Sequence, residues 1–248
     1  MSVAGIGALP ALVAQGGPVV PQFEQGSDCV RENKGFCWDW FTQNFDRVFS
    51  DRIIQHIELT AIAVSIGFVL AFAAALITYR YPRIGTPVTI FFAFLYTIPS
   101  LAFFQLMVPV TGLTWTSAEI ALVSYTLLIL YRNTLTGLQE VPGDALEAAQ
   151  AMGLTRRQTM MRVELPLALP AIIAGIRIAV VTIISLATVA AFIGVGGLGQ
   201  PIFNAIQDGF KTQFVAAGVL AVVLALVADA LLVIVQRLLT PWARAKAG

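Results

Sequence analysis

Few residues in this chain can do chemistry, and most of them sit inside apolar stretches. There is one histidine, His56, and there are two cysteines, Cys29 and Cys37. That inventory is too thin for a His/Cys metal site or for a Cys–His nucleophile system. The two cysteines either form a disulfide or remain unpaired thiols, because spacing alone does not give their geometry. Gly194, Gly196 and Gly199 fit the spacing of a dinucleotide fingerprint. That fingerprint works only between a strand and a helix N-terminus, whereas a long apolar run precedes it here. With Gly197, these glycines read instead as a flexible gate turn or as close helix packing at small residues. Polar groups inside apolar stretches need a task, since lipid makes them costly. Thr97, Pro99 and Ser100 interrupt one stretch, and Thr182, Ser185 and Thr188 recur at every third residue of another. Each set either lines a translocation path or holds helices together. Arg177 and Asp229 either pair with each other, or Arg177 reaches out to lipid headgroups. No nucleophile, base and stabiliser cluster together, so the chain is not expected to be an enzyme.

The elements that position these residues must be membrane helices. Hydrophobic residues make up 58% of the chain and charged ones 12%. A soluble surface needs about a quarter charged, so most of this surface faces lipid. A net charge of +1 offers no field for nucleic acid. A spanning helix needs about 20 mostly apolar residues. On that measure the fold class is all-α, a polytopic transmembrane bundle of about five spanning helices. They fall at 59–79, 87–108, 117–135, from 167 to the glycine-rich segment 194–199, and at 214–235. Pro109 and Gly112 divide the charge-free stretch 84–118. The loop 80–83, the segment holding Arg156, Arg157 and Arg162, and the tail holding Arg237, Arg244 and Lys246 are basic. An odd helix count puts all three on the cytoplasmic side and the N-terminus outside.

Three parts follow: an extracytoplasmic segment 1–52, a membrane domain 53–240 with a cytoplasmic loop 139–166, and a cytoplasmic tail 241–248. Residues 1–17 lack the basic start of a signal peptide and read as a poorly ordered or surface-lying segment. Trp38, Trp40 and Phe41 suit either an interfacial aromatic belt or packing in a small exterior cap.

The loop 139–166 is too patterned for a linker. Residues 144–152 are strong helix formers, with Asp144 near the positive end of the helix dipole. Gly153 suits the left-handed residue that ends a helix. Thr155 caps a second short helix from 156 to about 164. Ala148 and Ala149 are small enough to let another surface come close. The expectation is a cytoplasmic helical hairpin.

Glu147-Ala148-Ala149, three residues, Gly153, nine residues, then Val163-x-Leu165-Pro166 resembles the EAA motif of binding-protein-dependent ABC importer permeases. Val163 stands where that family most often has Ile. The resemblance covers the chain from about residue 57 to its end and implies a type I importer fold. It also implies that the hairpin docks on an ABC ATPase subunit dimer. ATP and Mg would be bound by that partner, with no cofactor on this chain. A closer likeness, to the osmoprotectant branch that imports glycine betaine, choline or carnitine, rests on 96–102, on Tyr131-Arg132-Asn133-Thr134 and on 187–199. The alternatives are an amino-acid permease such as one for methionine, which shares some of this texture, and a non-transport membrane scaffold. The resemblance implies an extracytoplasmic substrate-binding protein, expected as a separate chain, and a second permease copy or paralogue. The setting is a bacterial or archaeal cell membrane.

Overall fold

The computed structural model describes residues 27–242. The expectations for residues 1–17 and for the tail residues Arg244 and Lys246 lie outside the described residues. Among the described residues every regular element is helical. A four-residue turn, α1 (Asp28–Arg31), precedes α2 (Trp38–Phe45). A π turn (Asp46–Ser50) carries α2 directly into α3 (Asp51–Arg80). Trp38 to Arg80 is therefore one rod of 43 residues, about 65 Å long. The boundary expected at 52–53 falls inside it. A bilayer core is only about 30 Å thick, so the first turns of the rod stand clear of the hydrocarbon.

The charge-free stretch that follows does not form the straight helix expected at 87–108. It makes α4 (Gly85–Thr97) and α5 (Ser100–Thr111), bent by 94°. The break is at Pro99, which has no N–H to continue the ladder and disfavours helical geometry in the residue before it. Ile98 is accordingly extended, with ψ 126°. Tyr125 donates its hydroxyl proton to the Ile98 carbonyl at the bend. Pro109, expected as a divider, lies inside α5, and Gly112 ends that helix at φ +78°.

Next comes α6 (Trp115–Gln139), the centre of the bundle. It packs against α3, α4, α5 and α9 (Leu165–Ala187). Close approach depends on small residues. A Cβ on Gly67 would come within 1.7 Å of Thr126 Oγ1, one on Gly137 within 2.8 Å of the Ala171 Cβ, and one on Gly175 within 2.5 Å of the Asn133 Cβ. Tyr131 donates to Thr78 Oγ1 at 3.1 Å. Three rods pass as spans by length and apolarity: Trp38–Arg80, Arg156–Ala187 and Lys211–Leu239. The bent pair makes a fourth. α6, where the third span was expected, is not among them; its buried Ser124, Thr126 and Thr134 face neighbouring helices.

Between α6 and α9 lie two short helices, α7 (Gly143–Ala151) and α8 (Arg156–Thr159). After α9 come a 3-10 turn (Val189–Ile193), α10 (Gly199–Asp208) and α11 (Lys211–Leu239). Neither α2 nor α10 was expected from the sequence.

Candidate functional site

The hairpin at 139–166 is built by its caps. Pro142 precedes α7 in an extended conformation. At the other end Gly153 is left-handed, φ +73°. Its N–H donates to the Gln150 carbonyl at 2.9 Å, and the Leu154 N–H donates to the Ala149 carbonyl at 3.1 Å. Those two bonds satisfy the last carbonyls of α7 and turn the chain. Thr155 and Gln158 then cap α8 reciprocally: Thr155 N–H donates to Gln158 Oε1 at 2.8 Å, and Gln158 N–H donates to Thr155 Oγ1 at 3.4 Å. A second π turn (Met160–Glu164) joins α8 to α9. Pro166 falls at the start of α9, directly after that π turn.

Glu147, Ala148 and Gly153 lie on the open face of this hairpin, while Val163, Leu165 and Pro166 are half-buried at its root. Ala149 corrects the expectation that both alanines meet a partner. It is fully buried within the chain, so its small size lets α7 settle on its own protein. Two residues of the hairpin that the motif did not single out are also exposed: Met152 is 70% exposed and Met161 61%. Unbranched thioethers suit an adaptable contact surface. Tyr79, at the end of α3, donates to Glu164 Oε1 at 3.4 Å. It also lines both of the adjoining cavities of about 620 and 530 Å³ beside the hairpin.

At the other end of the bundle is the segment 194–199. Gly194 and Gly197 are left-handed, φ +76° and +82°. Added Cβ atoms would meet Gln55 Oε1 at 2.0 Å from Gly196, and the Thr188 carbonyl oxygen at 2.1 Å from Gly199. A 3-10 turn, not a strand, precedes the segment, so the geometry of a dinucleotide fingerprint is not there. The six residues considered for a path flank one apolar cluster. Leu95, Ile98, Phe103 and Phe104 bring α4 and α5 to it, and Ile183, Leu186 and Ala187 bring α9. Thr97 Oγ1 donates to the Phe94 carbonyl, Thr182 Oγ1 to the Ile178 carbonyl and Thr188 Oγ1 to the Ser185 carbonyl, each at 2.7–2.8 Å. Those hydroxyls thus satisfy themselves on their own helices. Thr97, Pro99 and Ser185 are exposed, while Ser100, Thr182 and Thr188 are partly so.

Arg177 and Asp229 meet in a two-point ion pair. Nε donates to Oδ1 at 2.9 Å and Nη2 to Oδ2 at 3.0 Å. Arg177 Nη1 also reaches Gln236 Oε1 at 3.3 Å, and Gln236 Nε2 donates to the Pro170 carbonyl at 3.4 Å. The group ties α9 to α11.

Cys29 and Cys37 are joined in a disulfide. The loop it closes is bolted to the corner between α10 and α11. Asn33 donates to the Gly209 carbonyl at 2.8 Å and accepts from the Lys211 N–H at 3.1 Å, and the Cys37 N–H donates to Thr212 Oγ1 at 2.9 Å. The aromatic residues divide. Trp40 packs edge-on against Phe210 and Phe49, whereas Trp38 is 65% exposed beside Phe36 and Phe41.

The sequence pattern of one family, binding-protein-dependent transport system inner membrane components, matches residues 50–244. Among curated proteins, the osmoprotectant import permease protein OsmW of Salmonella typhimurium is 38% identical over 75% of this chain and 89% of its own length. The choline transport system permease protein OpuBB of Bacillus subtilis is 35% identical over 77% of this chain and 88% of its own length. Among solved structures, an inward-facing form of the MetNI methionine ABC transporter superposes with a TM-score of 0.70. It has 22% identity and covers 79% of this chain and 98% of its own, a likeness of fold.

Proposed function

Because the chain belongs to the family of binding-protein-dependent transport system inner membrane components, we infer that this permease subunit of an ABC importer carries an osmoprotectant such as glycine betaine, choline or carnitine. The observation that carries the reading is the capped hairpin of α7 and α8, which continues through its π turn into α9. A surface that docks on a partner ATPase through Glu147, Ala148, Met152 and Met161 would pass that partner's motion into a spanning helix without a loose joint. ATP and Mg belong to the partner, and an extracytoplasmic binding protein delivers the solute. Relatives named for osmoprotectants and choline support the substrate class.

Among the described residues, one chain does not enclose a path. Ile178, Val181 and Ser185 leave a flank of α9 open, and Thr97 and Pro99 leave the bend open. A second copy or a paralogue completes it. The test is ATP-driven uptake of labelled glycine betaine, choline and carnitine, with methionine in parallel, by vesicles holding the permease, its ATPase and its binding protein. Uptake of a quaternary ammonium is expected. Uptake of methionine alone would replace the substrate class, and failure of any ATPase to associate would leave a scaffold.

A further inference from the structure

The outer turn lies where one spanning helix stops and another begins, and both ends leave backbone groups in want of partners. The carbonyl of Ile184 is one of the last four of α9. The N–H that would ordinarily meet it, that of Thr188, turns to the Ser185 carbonyl instead. On the far side of the turn, Leu198 is the N-cap residue of α10, so its N–H has no helical carbonyl behind it.

His56, fully buried near the outer end of α3, supplies both partners. Its Nδ1 lies 3.2 Å from the Leu198 nitrogen and its Nε2 lies 2.9 Å from the Ile184 oxygen. A backbone N–H can only donate, so Nδ1 must be the bare nitrogen. The proton therefore sits on Nε2 and is donated to Ile184. One uncharged tautomer satisfies an orphan acceptor of α9 and an orphan donor of α10. Both nitrogens are engaged, so the ring has nothing left for a metal or a solute. The neighbouring side chain does related work: Gln55 Oε1 accepts from the Gly197 N–H at 3.2 Å and from Arg52 Nη1 at 3.0 Å. Two consecutive N–H groups of the turn are thus held by two consecutive side chains of α3. The seat is close enough that a Cβ on Gly197 would come within 3.0 Å of His56 Nδ1.

We propose that His56 is the positioning residue of the outer gate: it fastens the 194–199 turn to α3 through the Leu198 N–H. This rests on the reading of that turn as the gate. The same ring also binds α9 through Ile184, and a merely structural role would reside in that second bond. Two substitutions separate the bonds. Asn imitates the Nδ1 half of the ring and can still accept from Leu198, but it does not reach Ile184. Gln imitates the Nε2 half and can still donate to Ile184, but it does not seat the turn.

The reporter is Val195→Cys, at a position 5% exposed in the seated turn; the native cysteines are bonded to each other and do not compete. Maleimide labelling of the purified permease is compared for His56, His56→Asn, His56→Gln and His56→Phe. Loss of one buried hydrogen bond should speed labelling about tenfold in the Gln and Phe variants. The Asn variant should stay within about twofold of the parent, since it keeps that bond. Unchanged labelling in His56→Phe, or labelling of His56→Asn as fast as of His56→Gln, overturns the proposal. The Asn–Gln comparison stands even if the Phe variant fails to insert. Labelling reports the seat whether or not the protein transports. Absence of uptake by the parent transporter would therefore count against the importer reading alone.

Discussion

Gly153 and Gly67 are glycines for opposite reasons, and only one reason shows in the sequence. At Gly153 a Cβ would meet nothing within 4 Å, yet φ is +73°. The backbone demands the residue there. Placed just after a run of strong helix formers, it announces itself as a helix end. At Gly67 crowding decides, because a Cβ would strike Thr126 Oγ1. Nothing in the local sequence marks that, since the contact joins two helices far apart along the chain. Ala149 was misread for the same reason, since a small residue on a short helix looks the same whether it faces a partner or its own protein. Gly153→Val should therefore strain the hairpin by about 1–2 kcal/mol without touching the bundle. Its melting temperature in detergent should stay near that of the parent, while uptake and co-purification of the ATPase should fall sharply. Normal uptake at matched abundance would make the hairpin a passive connector.

Elements were legible wherever their ends carry chemistry. The hairpin could be anticipated because Gly153 and Thr155 are cap residues acting over one turn. The 94° bend could not be placed: its stretch is charge-free throughout, and of Pro87, Pro99 and Pro109 only Pro99 breaks a helix. Pro109 sits in the last turn of α5 and does not divide it. The amphipathic α10 was hidden behind the glycines that begin it. The joint between α9 and α11 belongs to this scale too, because Arg177, Asp229 and Gln236 form one polar group between two apolar rods. Either charge left alone in lipid is costly. Arg177→Asp and Asp229→Arg should each lower the amount of folded permease in the membrane, and the double exchange should recover more than either single change. No recovery in size-exclusion yield would show that the pair contributes nothing to holding these helices together.

The whole molecule is a set of rods with unlike ends. The disulfide loop, Gln55, His56 and the 194–199 turn gather at one end, and the hairpin, Tyr79 and Glu164 gather at the other. The basic residues of 80–83 and of the hairpin predict that the second end faces the cytoplasm. Gln43 on α2 and Arg157 on the hairpin are both exposed. An impermeant thiol reagent applied to intact cells should label Gln43→Cys and spare Arg157→Cys, and the reverse pattern would invert the orientation. The two π turns add a consequence for how such a chain can change its length. A π turn is an α-helix that has taken in one extra residue. Elsewhere in a rod, gaining or losing a residue rotates everything beyond it by about 100° and shifts it by about 1.5 Å, which would unseat every packed face. At Asp46–Ser50 and at Met160–Glu164 the surplus is already absorbed. A single-residue deletion in either turn removes slack rather than phase, so each of these turns should tolerate a one-residue deletion while the membrane bundle keeps its register.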